Sequence, residues 1–176
     1  MQLSNGALLR LHDPRRFGCL LWQRANEPTH KLLEKLGPEP LTNEFDAAQL
    51  ITATRKRKAA IKNVIMDSHV VVGVGNIYAS EALFMAGIRP GRAAGRVSHA
   101  ECEKLVAAIK KILKQSIDQG GTTLRDFVNS DGEPGYFKQS LFVYGREGED
   151  CQKCNSAIKQ KVLGQRSTFY CTACQR

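Results

Sequence analysis

Two cysteine pairs near the end of the chain, Cys151-x-x-Cys154 and Cys171-x-x-Cys174, stand sixteen residues apart. Two knuckles at that spacing can close a tetrahedron of thiolates around one ion, and four cysteines leave no open ligand position for catalysis. The pattern therefore predicts one structural Zn2+ held by Cys151, Cys154, Cys171 and Cys174. A segment this short buries too little apolar surface to fold unaided, so metal binding would supply most of its folding free energy. Redox dithiols are the competing reading, although thioredoxin-type motifs do not come as two spaced copies. Cys19 lies in an apolar strand-like run and Cys102 in a helical pattern, and both read as packing residues.

Ile158, Val162, Phe169 and Tyr170 predict a β-hairpin between the pairs, with Lys159, Lys161, Gln165 and Arg166 offering donors to phosphates or to solvent. Charge points the same way. Lys and Arg total 26 against 17 Asp and Glu, a net +9, which favours a polyanionic partner, with nucleic acid leading. The densest basic run is Arg55-Lys56-Arg57-Lys58, followed by Lys62. On one helix Lys58 and Lys62 would share a face and repel each other unless a polyanion sits there. With 42% hydrophobic and 24% charged residues, the 176-residue chain fits a globular protein and not a disordered tail. No apolar run reaches the length of a spanning helix, and the first residues lack the order of a signal peptide. A cytoplasmic protein without membrane contact is expected.

Residues 7–11 and 17–22 read as two strands joined by the turn His12-Asp13-Pro14-Arg15-Arg16. A lone hairpin is marginal in water, so these strands are expected to belong to a larger sheet whose earlier part the chain does not carry. Helical patterns cover residues 29–36, 45–54 and 58–66, and another helix should start near Asn76. Ser98 and Glu101 predict a capping box that opens a helix with the apolar stripe Leu105, Ile109, Ile112, Leu113, Ser116 and Ile117, stopped at Gly120-Gly121. Residues 125–136 are rich in turn formers and read as a loop. In Gly73-Val-Gly75-Asn76-Ile77-Tyr78, tyrosine occupies the place of a third glycine, so a dinucleotide fold is set aside in favour of a small anion site at a helix start. Arg15, Arg16 and Phe17 at the hairpin tip form either a wedge for a duplex or a ring packed in the sheet beside two exposed arginines.

Together, Asp13-Pro-Arg-Arg-Phe-Gly18, Val72-Gly-Val-Gly-Asn-Ile-Tyr-Ala-Ser-Glu81, Gly120-Gly-Thr-Thr-Leu124, Asp131-Gly-Glu-Pro-Gly-Tyr-Phe137 and Gln165-Arg-Ser-Thr-Phe-Tyr-Cys171 closely resemble bacterial formamidopyrimidine-DNA glycosylase. The resemblance implies an α+β protein in three parts. Residues 1–27 would be the last strands of an N-terminal β-sandwich lobe. Residues 28–143 would form a helix-two-turns-helix DNA-binding domain with a lesion loop near 125–136, and residues 144–176 a four-cysteine zinc finger. It also implies base-excision repair: oxidised purines such as 8-oxoguanine are flipped out of duplex DNA, the glycosidic bond is cleaved, and the strand is nicked by β,δ-elimination. By the same resemblance Arg15 contacts the base opposite the lesion with Phe17 as wedge, while Arg57, Lys62 and Asn76 hold flanking phosphates. Arg125 and Tyr136 belong to the lesion loop. Arg166 binds phosphate and transfers a proton in the second elimination. The sister enzyme endonuclease VIII is less similar at the Gly-Thr-Thr and Pro-Gly-Tyr-Phe segments.

One departure stands at the start. The family's proline nucleophile follows the initiator methionine, whereas this chain reads Met1-Gln2-Leu3, and its Pro38 nitrogen is an internal amide. The expectation is a monomer that binds duplex DNA with oxidised purines or abasic sites and has little or no glycosylase activity by itself. A catalytically inactive zinc-finger DNA-binding module is the alternative, and a zinc-ribbon RNA-binding protein a third reading.

Overall fold

Asp46, in extended conformation, accepts a hydrogen bond from Gln49 N at 2.7 Å and so starts the first helix of a computed structural model that describes residues 1–11, 13, 18–119 and 141–176. Expectations for Arg15, Phe17, Arg125 and Tyr136, for the tip of the N-terminal hairpin and for the Gly120-Gly121 stop lie outside the described residues. The chain divides into two compact units, Met1–Lys35 and Leu36–Arg176.

The described residues of the second unit hold four α-helices, α1 (Ala47–Thr54), α2 (Ile61–Ile65), α3 (Asn76–Ala86) and α4 (His99–Asp118), followed by strands β1 (Lys159–Leu163) and β2 (Arg166–Tyr170). At the head of α4, Ser98 Oγ accepts from Glu101 N, and the Glu101 carboxylate accepts from Ser98 N at 2.9 Å, the reciprocal box the sequence predicts. The stripe Leu105, Ile109, Ile112 and Leu113 is buried as expected, but Ile117 is 65% exposed while its neighbour Ser116 is buried, bonded to Tyr78 Oη at 2.6 Å. The apolar stripe thus ends one turn early, and a polar pair closes the contact between α3 and α4. Cys102 packs in this core, together with Phe45, Leu50, Ile61, Leu83 and Ile88.

The basic run does not lie on a helix with Lys62. Lys56 adopts a left-handed φ of 60° and Arg57 N bonds back to Thr54 O, which ends α1. Residues 57–61 then run against residues 92–95, through Ala94 N to Ala59 O and Gly95 N to Arg57 O, both at 2.9 Å. Only at Ile61 does helix resume, so Lys58 stays exposed in the connection while Lys62 turns inward.

α3 ends at Gly87, whose φ of 73° suits the left-handed cap that a side chain would strain. Leu83 of α3 joins the large core, whereas Phe84 on its other side joins a second cluster with Val143, Cys151, Ile158, Phe169 and Cys171. The finger thereby shares α3 with the helical body. β1 and β2 pair antiparallel with Leu163 opposite Arg166, and Gly164 (φ 55°) and Gln165 (φ 61°) make the two-residue turn. A Cβ on Gly164 would lie 2.8 Å from the Asn63 amide of α2, so the turn needs glycine to sit on the helical body.

Among the described residues of the first unit, neither the expected strands, over 7–11 and 18–22, nor the helix over 29–36 is formed. Its described residues carry an isolated bridge, Gln2 with Leu8, and turns over residues 31–35. Leu8, Leu9, Leu11, Leu20 and Trp22 are exposed, Trp22 at 85%, and Cys19, expected to pack, is exposed too. An isolated bridge offers no sheet face against which to bury these side chains.

Candidate nucleic-acid interface and metal centre

The four predicted metal ligands come together. Their sulfur atoms all lie within 4.8 Å of one another, with Cys151 and Cys174 3.9 Å apart and Cys154 and Cys171 3.5 Å apart. Thiolates about 2.3 Å from a tetrahedral zinc ion stand roughly 3.8 Å from each other, so the cluster has the size of a four-thiolate site and could hold one zinc. The protonation chemistry agrees. Side-chain and backbone hydrogen bonds from Ser156 lower the Cys154 thiol to about 6, whereas burial and the neighbouring thiols push Cys174 up to about 12. One negative charge is readily accepted; only a divalent cation makes four tolerable.

The second knuckle is clasped to the helical body. Gln175 is fully buried, accepts from Cys171 N at 2.9 Å and donates to Ile88 O at 2.8 Å, while Arg176 exchanges backbone bonds with Gly87 and Arg89. The segment before the first knuckle is held by Glu81 of α3, whose buried carboxylate accepts the N–H groups of Phe142, Val143 and Tyr144 at 2.7–2.9 Å. Burial raises the Glu81 pKa despite those three bonds. Glu81 carried no expected task of its own from the sequence; a carboxylate between the apolar residues Ala79 and Leu83 was the available signal.

The turn Gly73-Val74-Gly75 delivers the N-terminus of α3, where first-turn N–H groups lack helical acceptors and the helix dipole favours an anion. Asn76, its first residue, uses its side chain within the fold: Oδ1 accepts from Lys62 Nζ, and Nδ2 donates to Ser167 O at 3.0 Å and to Tyr144 Oη at 3.3 Å. Lys62 is 0% exposed, and its ammonium also donates to Ser167 O at 3.1 Å and Thr168 Oγ1 at 2.6 Å. Burial, then the Arg166 guanidinium nearby, lowers its pKa to about 8. Three candidates from separate stretches, Lys62, Asn76 and Arg166, are thus neighbours. Arg166 is exposed at the hairpin turn, and Lys62 lies beneath the surface with its three donors engaged. Arg57 is exposed in the α1–α2 connection and faces Asp67 at 3.7 Å, a contact weak enough to exchange for a phosphate. Ser167 and Thr168, which help complete the cluster, stand inside the motif Gln165–Cys171 but carried no expected role of their own, and Tyr144 carried no signal in the sequence.

The model of one protein family, the formamidopyrimidine-DNA glycosylase H2TH domain, matches residues 36–128, over half of the chain. The chain belongs to the formamidopyrimidine-DNA glycosylase family. The formamidopyrimidine-DNA glycosylase of Thioalkalivibrio sulfidiphilus is 63% identical over 174 residues, covering 99% of this chain and 64% of the relative. That of Alteromonas mediterranea is 58% identical over 175 residues, with 99% and 64% covered. The chain therefore spans just under two thirds of the length of these glycosylases. Among solved structures, the MutM (Fpg) protein of Thermus thermophilus superposes with a TM-score of 0.85 at 38% identity, over 93% of this chain and 63% of that one. Lactococcus lactis Fpg in complex with DNA containing an abasic site superposes with a TM-score of 0.75 at 34% identity, over 82% of this chain and 53% of that one. The α+β architecture with a four-cysteine finger is that of the family. Among the described residues no helix is long and apolar enough to cross a membrane.

Proposed function

We propose that this chain is the damage-gripping portion of an oxidised-purine DNA glycosylase and AP lyase, acting on duplex DNA that carries formamidopyrimidine, 8-oxoguanine or an abasic site. The observation that carries the reading is the junction of α3 and β2, where an exposed arginine, a helix N-terminus and a buried ammonium converge at one edge of a chain with a net charge of +9. An arginine beside first-turn N–H groups is a fitting receptor for a phosphodiester. The Lactococcus lactis relative was solved with Fapy-dG DNA as well as with abasic DNA, which supports both lesion classes.

In this reading residues 28–143 grip the duplex, residues 144–176 are the zinc finger, and residues 1–27 belong to the edge of a β-lobe. Arg57, the α3 N-terminus at Asn76, and Arg166 hold phosphates. Arg15 and Phe17 occupy the gap opposite the flipped base, Arg125 and Tyr136 cover that base, and Arg166 moves the proton of the second elimination. Zinc, when bound, supplies the fold of the finger and no step of the reaction. Such a protein works as a monomer on nucleoid DNA in the bacterial cytoplasm.

The test is a fluorescence titration of the zinc-loaded chain with a duplex bearing a tetrahydrofuran abasic analogue. Binding should exceed that of the undamaged duplex and weaken steeply between about 50 and 200 mM salt, as counterion release requires. Affinity that ignores salt overturns the reading. Borohydride trapping on true abasic DNA separates the enzyme from the non-catalytic DNA-binding module. A covalent complex marks the enzyme, and its absence the module.

A further inference from the structure

Lys62 is buried completely, and among the described residues the groups it bonds to are neutral: the Asn76 amide oxygen, the Ser167 carbonyl and the Thr168 hydroxyl. An ammonium has three N–H donors, so these three acceptors exhaust it. A buried cation ordinarily sits against a carboxylate, because dipoles alone compensate poorly for lost hydration. Here burial lowers its pKa, and the charge that acts on it, the like-charged Arg166, lowers it further. The acceptors come from opposite sides of one junction, Asn76 from the head of α3 and Ser167 and Thr168 from β2 directly after Arg166. Asn76 answers by donating to the same Ser167 carbonyl. The Thr168 hydroxyl in turn donates to Arg166 O at 3.2 Å, so the bond network reaches the backbone of the arginine itself.

We infer that Lys62 is a positioning residue: it latches β2 to the head of α3 so that Arg166 and the first-turn N–H groups of α3 address the same phosphodiester, without touching that phosphate itself. Among the described residues its ammonium bonds to no carboxylate, so a phosphate held by Arg166 and the head of α3 would supply countercharge through space. The latch therefore tightens when DNA arrives and costs stability when it is absent. This rests on the duplex-binding reading above and specifies which lysine serves it without being a ligand.

Salt titration distinguishes the two roles, because each phosphate neutralised by direct contact adds about 0.9 to the slope of log affinity against log salt. The zinc-loaded 176-residue chain is titrated with the tetrahydrofuran duplex as wild type, Lys62→Met, Arg166→Ala and the double variant, with zinc content and melting curve checked for each. Lys62→Met should lose about tenfold in affinity with its slope unchanged, whereas Arg166→Ala should lose affinity and about one unit of slope. The double variant should lose less than the product of the two single losses, since the latch acts through the arginine. A slope that falls by about one in Lys62→Met makes Lys62 a ligand and overturns the proposal. Unchanged affinity, or losses that multiply, overturns it as well. Should Lys62→Met fail to fold, Thr168→Val removes one acceptor without changing any charge and must show the same pattern of weaker binding, constant slope and less-than-multiplicative loss with Arg166→Ala. A wild-type chain with no salt-sensitive duplex binding would instead bring down the DNA reading itself, an outcome separate from any variant's slope.

Discussion

Glu81 accepts three backbone N–H groups in a buried site, and an amide in its place would turn an NH2 group toward donors. Glu81→Gln should therefore cost about 2 kcal/mol in urea denaturation; a loss below about half of that would mean the anchor is redundant. Glu101 shows the opposite balance. Its ion pair with Arg92 at 2.6 Å, aided by Ser98, holds its carboxyl at about 2, below the ordinary value of 4.5. A carboxylate with a depressed folded pKa stabilises fully above 4.5 and loses that contribution as pH falls toward 2. Glu101→Gln should cost about 1 kcal/mol at neutral pH and flatten acid denaturation within that window, followed by circular dichroism. The capping pair was legible because Ser98 and Glu101 are local to each other. The burial of Lys62 was not, because its partners Ser167 and Thr168 lie on β2, more than a hundred residues away along the chain.

α4 could be read from its sequence because it has one buried face and one wet one, so its apolar residues recur with the helical period. α3 offers no such rhythm. Residues 79–84 are buried on all sides, between the large core and the finger, and only its first turn was marked, by Gly75 and Asn76. The two finger strands were legible from Phe169 and Tyr170, but their docking hangs on Gly164 meeting Asn63, which no periodicity encodes. Gly164→Ala meets both a left-handed φ of 55° and the Asn63 amide at 2.8 Å. It should cost about 1–2 kcal/mol, most of it as faster hydrogen exchange in β1 and β2 with α4 unaffected. Equal protection in both proteins would show that the turn accommodates a side chain.

For the molecule as a whole, charge and cysteine spacing pointed to a metal-braced nucleic-acid partner, and the family match stands beside them. Apolar runs in residues 1–35 predicted strands, yet strands need neighbours to bury their faces, and the described residues of that unit form a single bridge. Stripping zinc with a chelator should abolish amide protection in β1 and β2 while the melting of α4 shifts little, because the large helical core closes without the finger. Loss of the entire fold on chelation would contradict that independence. The converse independence does not hold. Phe84 supplies a wall of the finger's small core and Glu81 tethers its approach, so residues 141–176 cut free would lack part of their own interior even with the ion in place. This finger is no portable cassette: grafted onto another protein, it would have to bring α3 along.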